Sequence, residues 1–105
     1  MKRYKINDRC KTIARINVRS GQIEVSPAFE KLSAAMQEFL LLQVELLKEG
    51  HDRLEADRRA FDDMRKLHPD SDVGDFLLEL RAIYRHEQKE YEGSLRLKNL
   101  KSNES

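Results

Sequence analysis

Three histidines, one cysteine and nineteen carboxylates are the side chains with which this 105-residue chain could do chemistry, and their spacing decides which chemistry is open. His51, His68 and His86 lie 17 and 18 residues apart, and no H-E-x-x-H or Glu-x-x-His pattern brings a zinc or di-iron ligand set onto one helical face. His51 with Glu55, and His86 with Glu90, are each one helical turn apart. Two ligands of that kind arise by chance in a chain that is 37% charged, so no metal is expected. Cys10 is the lone cysteine and has no neighbouring His to make it a thiolate nucleophile; no disulfide can form within the chain, and a reducing compartment fits. No serine sits in a Gly-flanked elbow, and four glycines cannot build a phosphate-cradling loop. The reading that follows is non-enzymatic, without catalytic residues, metal or cofactor.

Two acidic pairs, Glu87 with Glu90 and Glu49 with Asp52, resemble the E-x-x-E pairs with which helical nucleotide pyrophosphohydrolases hold magnesium. They occur here in the reverse chain order and read as solvated helix faces. His51-Asp52 lacks the further His and Asp that a phosphohydrolase needs.

Charge is the next candidate. The net charge of +1 hides an asymmetry: residues 1–26 carry seven basic and two acidic side chains, a balance of +5, and the remaining 79 carry 13 and 17, a balance of −4. A basic head of this kind attracts an anionic partner or pairs with the acidic body of its own or a sister chain, and self-neutralisation is the simpler outcome. Arg15, Asn17 and Arg19 alternate, so in a strand they project from one face, with Lys11 nearby. Arg and Asn are good readers of base edges. A basic strand followed by a Ser26-Pro27 helix start resembles the ribbon-helix-helix repressors, which implies nucleic-acid binding through the strand. The first predicted helix is about twice too long for that family, and a second strand intervenes.

The elements that must position these residues fall into two groups. Lys11 to Val18 and Gln22 to Val25 are rich in β-branched residues and flank Arg19-Ser20-Gly21, which predicts a β-hairpin; Lys2 to Ile6 offers a third strand. From Pro27 the pattern is helical. Ser26 is a good cap, Pro27 suits the first helical position and Gly50 can close the far end. One face of this helix holds Phe29, Leu32, Met36, Leu40 and Leu47, and a neighbouring one Ala35, Phe39, Leu42 and Leu46. Two apolar faces need two coverings, and so short a chain predicts a partner. Leu40, Leu47, Leu54, Phe61 and His68 recur every seven residues straight through Gly50, which favours a continuous or kinked helix to Leu67. Its 41 residues would span about 60 Å, and a Gly in its interior costs only about 1 kcal/mol. The alternative is a break at Gly50, after which His51 to Leu67 folds back. That segment is mostly polar, with Leu54, Phe61 and Met64 as its stripe, like a solvated helix or coiled-coil arm.

His68-Pro69-Asp70 stops this helix, and Ser71 or Asp72 can cap the next, from Val73 to about Glu92. The tripeptide lies between two predicted antiparallel helices and resembles the HPD loop of J-domain co-chaperones, as Leu77, Leu80, Ile83 and Tyr84 resemble the apolar pattern of their third helix. The resemblance covers about 40 residues and would imply a chaperone-stimulating loop. The family's preceding helix carries apolar residues where this chain has Asp63 and Ala60, and Asp57, Asp62 and Asp63 dilute its basic face, so the tripeptide reads as a helix-stop turn. Residues 94–105 form a polar tail with three leucines.

The expected fold is therefore mainly α with a small β element: a basic β-hairpin (1–26), an antiparallel helical hairpin of two to three helices (27–93) and a tail (94–105) in one domain. No apolar run approaches the ~18 residues of a membrane span and no signal peptide is evident, so a soluble cytoplasmic protein is expected. The expected function is that of a small adaptor, regulator or inhibitor working through protein contacts, as a homodimer or with an unidentified protein. Its contact surface is expected at Phe39, Leu42 and Leu46 with Ile16 and Val18. The alternative is nucleic-acid binding through Lys11, Arg15, Asn17 and Arg19.

Overall fold

The computed structural model describes residues 3–87. Three short strands, β1 (Tyr4–Ile6), β2 (Ala14–Ile16) and β3 (Ile23–Val25), precede a single 3-10 turn (Pro27–Lys31) and the helices α1 (Ala34–Lys48) and α2 (Arg53–Leu67). A third helix, α3, covers residues 73–87. The protein is mainly α with a small β element. The end of the third predicted helix, beyond residue 87, and the tail lie outside the described residues.

β2 and β3 form the predicted antiparallel hairpin, with Ala14 opposite Val25 and Ile16 opposite Ile23. β1 joins on the other side of β3 in parallel, Tyr4 beside Ile23 and Ile6 beside Val25. The strand order β1-β3-β2 thus makes β3 the centre, and all three of its residues are buried. Ile23 and Val25 enter the core; Glu24 lies on the opposite face between Lys5 and Arg15.

The helix expected to begin at Ser26 begins later. Pro27–Lys31 forms the 3-10 turn, Leu32 is extended, and Ser33 caps α1 by accepting the Met36 N–H at 3.2 Å. Ser26 makes no side-chain cap, and its hydroxyl oxygen is buried without a partner. The break lets Phe29 drop fully into the core against the edge of Tyr4, ring centres 4.8 Å apart.

The continuous helix is also corrected. α1 ends in a Schellman motif in which the Gly50 and His51 N–H groups donate back to the Leu47 and Leu46 carbonyls. Gly50 holds φ +100°, a conformation that leaves the helix and that glycine alone adopts at little cost. Asp52 then caps α2 by accepting the Glu55 N–H at 2.8 Å. Two consecutive local signals thus outweigh the seven-residue repeat, and α2 folds back on α1.

The buried stripe of α2 is Ala56, Ala60 and Met64; Leu54 is 82% exposed and Phe61 only partly buried. Two small side chains, Ala56 and Ala60, and one large one, Met64, thus make the inward face of α2. α3 is anchored by Phe76, whose ring meets Phe39 edge-on at 5.4 Å and Phe61 at 5.7 Å. A second tie joins the Ser33 N–H and hydroxyl to the Glu79 carboxylate. Most of both apolar faces of α1 is therefore covered from within the chain, by the sheet and by α2 with α3, and Leu47, 38% exposed, is the residue left uncovered.

Candidate interaction surface

Asn17 opens the hairpin turn. Its side-chain oxygen accepts the N–H groups of Arg19 (2.9 Å) and Ser20 (3.2 Å), and its carbonyl accepts the Gly21 N–H at 2.7 Å. This geometry turns the chain at residues 18–20 and leaves Val18 93% exposed at the tip. Ile16, two residues earlier, is half-buried against the core.

Beside this edge runs a groove. Its wall on the sheet side is Ala14, Ile16 and Val18; its floor is Leu40, Val44 and Leu47 of α1; its charged rim is Arg15, Lys48, Arg53 and Glu87. Lys48 donates to the Gly21 carbonyl at 3.0 Å and so pins the end of α1 to the hairpin. Of the residues expected to make contacts, Ile16 and Val18 stand together here. Phe39 is only 1% exposed and belongs to the aromatic centre that holds α3, which removes it from the surface. Leu42 and Leu46 are half-buried against the same core. Sequence reasoning missed Leu47, Lys48 and Arg53 as members of this surface. Leu47, one heptad after Leu40, was the available signal, whereas Arg53 arrives only because Gly50 turns the chain.

The basic residues are divided by the fold. Arg15 donates to Glu24 from Nη2 at 3.1 Å and from Nε at 3.3 Å. Burial alone would raise the Glu24 carboxyl, but Asn17, Arg15 and Asn7 together hold it below the usual range. Arg3 bridges Glu38 and Glu45, seven residues apart on α1, both at 2.7 Å, and the Glu45 hydrogen bond raises its pKa against burial. Self-neutralisation is thus seen at Arg3 and Arg15. Lys11 and Arg19 are exposed and form no ion pair among the described residues. The predicted anion-binding set is consequently split: Asn17 holds the turn, Arg15 is matched by Glu24, and Lys11 and Arg19 remain in solvent.

A second open surface lies between α2 and α3. Leu54, Phe61, Leu80 and Tyr84 line it with Asp52, Glu55, Asp57, Arg58 and Asp62, and Leu77 (50% exposed) and Leu78 (65%) continue the apolar surface along α3. Glu55 pairs with Arg59 at 2.7 Å and Arg58 at 3.2 Å, and Arg59 above all holds its carboxyl below the usual range. Burial, followed by the Asp57 charge, raises the Tyr84 phenol, while Arg53 and Gln43 oppose it; the Gln43 amide itself donates to Asp57.

Other chemical candidates resolve as structure. Cys10 is buried and donates from Sγ to the Thr12 carbonyl at 3.1 Å. His68-Pro69-Asp70 forms the turn between α2 and α3, with the Ser71 N–H on the His68 carbonyl and the Arg65 guanidinium on the Ser71 carbonyl. Asp72 rather than Ser71 caps α3, accepting the Gly74 N–H at 2.8 Å. Among the described residues no group of three His, Cys, Asp or Glu side chains could hold a metal ion, and no helix is long and apolar enough to cross a membrane. The chain is defined at this point by its architecture, a three-stranded sheet on a three-helix body with an open groove at the hairpin. No protein-family model, curated protein or solved structure matches it.

Proposed function

We propose that this protein is a small non-enzymatic adaptor or regulator that acts through protein–protein contacts, with the hairpin edge as its contact surface. The observation that carries the reading is the grouping of exposed Val18, half-buried Ile16 and partly exposed Leu47 along a groove at an open sheet edge. Apolar surface gathered in this way marks a binding site more often than scattered single residues do. Pairing of Arg15 with Glu24 favours this reading over nucleic-acid binding, because it removes the central cation of the basic strand. Self-association is the second element of the proposal. The Leu54, Leu77 and Leu78 surface supports it, since that surface is separate from the hairpin and apolar enough to join two copies.

Light scattering over a concentration series tests the self-association. A dimer is expected, and Leu54→Glu with Leu78→Glu should return it to a monomer, both positions being exposed enough to accept a charge without disturbing the core. A photo-crosslinking residue at Val18 in the native host tests the contact surface. Discrete protein adducts are expected there and none at exposed Arg59; equal labelling at both would defeat the reading.

A further inference from the structure

The edge of β2 is built to accept another strand. The Ser26 N–H donates to the Ile13 carbonyl and the Asn17 N–H to the Gln22 carbonyl, each at 2.9 Å, with Arg15 opposite Glu24 between them. Residues 13, 15 and 17 therefore turn their backbone groups toward β3. Alternation along an antiparallel ladder then directs those of Ala14 and Ile16 the other way. That side of β2 has no strand beside it among the described residues. Among the described residues the Ala14 carbonyl accepts the Thr12 hydroxyl, at 3.4 Å, and the Ile16 N–H and carbonyl are an unmade rung.

The groove lies where the added strand would run. A strand pairs about 4.8 Å from its neighbour and presents alternate side chains to each face. One set would meet Val44 and Leu47 on the floor. The rim favours carboxylates: Lys48 and Arg53 face no carboxylate within ion-pair distance among the described residues, and only Glu87 opposes them across the groove. Arg15 is already matched by Glu24 and adds little.

We propose that this groove binds an extended, acid-bearing segment of a partner protein, added as a fourth strand alongside β2. The inference rests on the reading of the hairpin edge as the contact surface and names what that edge binds. Main-chain hydrogen bonds to Ile16 supply affinity, alternate apolar side chains over Val44 and Leu47 set the register, and Lys48 and Arg53 select carboxylates.

The test is fluorescence anisotropy with a labelled octapeptide of alternating valine and glutamate at low salt. Saturable binding is expected. The same peptide with its inward amides N-methylated should bind about tenfold more weakly or worse, since those amides make the ladder. An otherwise identical valine–lysine peptide should not compete. Lys48→Glu with Arg53→Glu should invert the preference between the two charges. Both side chains are exposed, and circular dichroism checks that the double variant keeps its fold. Should it not, Lys48→Gln alone must still weaken the glutamate peptide. Undiminished binding of the N-methylated peptide, indifference to charge, or no binding of the glutamate peptide each overturns the proposal. If the peptide fails while adducts at Val18 persist, strand addition is wrong and the contact surface stands. If the adducts are also missing, both fall.

Discussion

Gly50→Ala is the sharpest perturbation of this architecture, because one residue decides between the folded-back hairpin and the continuous helix. At φ +100° an alanine pays about 1–2 kcal/mol for left-handed geometry. A Cβ placed there meets nothing within 4 Å, so no clash adds to that cost. For a domain of this size 1 kcal/mol corresponds to about 4–8 °C, so the unfolding midpoint should fall by about 4–16 °C. Gly50→Asn should lose clearly less, since Asn tolerates the left-handed region. Alanine also gains about 1 kcal/mol wherever residue 50 is helical, so the balance moves by about 2–3 kcal/mol toward one helix running into α2. That state strips the α1 face that α2 and α3 now cover, and the economical way to cover it again is exchange of those helices between two copies. Thermal denaturation followed by circular dichroism reads the first effect and light scattering of concentrated samples the second. A Gly50→Ala protein that melts at or above the parent temperature would refute the argument, because residue 50 would then not hold a left-handed turn in solution.

Three further outcomes follow from contacts described above. Phe76→Ala removes a ring that is 3% exposed and touches Phe39 and Phe61; a loss of about 3–5 kcal/mol in denaturant unfolding is expected, and less than 1 kcal/mol would mean that α3 is held by other means. Ser33→Ala deletes the α1 cap and the hydroxyl donor to Glu79, and should cost about 1 kcal/mol in the same assay, with Glu79→Gln costing less. Glu24 and Glu55 have folded-state pKa values below their ordinary ones, so their contribution is fully present above the ordinary carboxylate range and is lost as pH falls through the depressed values. Stability should therefore fall on acidification below that range, and a Glu24→Gln protein should show a shallower fall; identical pH profiles would exclude Glu24 as a contributor.

What was legible in the sequence was local. Gly50 was readable as a helix end and Ser71 or Asp72 as a helix start, because such roles are set by the residues just before and after them; the seven-residue repeat nevertheless favoured a continuous helix, and the Asp52 cap went unread. The β-branched runs around Arg19-Ser20-Gly21 announced the hairpin for the same reason. The long-range choices were not readable. β1 lies parallel to β3, a pairing that no turn between them specifies. α2 turns Ala56 and Ala60 inward beside Met64 and leaves Leu54 outside, whereas a pattern of large apolar residues points to Leu54 and Phe61. Of the proposed contact surface, Ile16 and Val18 came from the sequence, whereas Arg53 became their neighbour only through the turn at Gly50.

The place of β3 in the sheet has a consequence for how the protein opens. β1 and β2 are not neighbours in the sheet, so each owes its ladder to β3. Loss of β3 leaves no two-stranded remnant to protect either edge, and the sheet has no partly open form in which β1 and β2 stay paired. In native-state hydrogen exchange an edge strand can then lose its ladder alone, whereas opening of β3 should expose the ladder amides of all three strands at once.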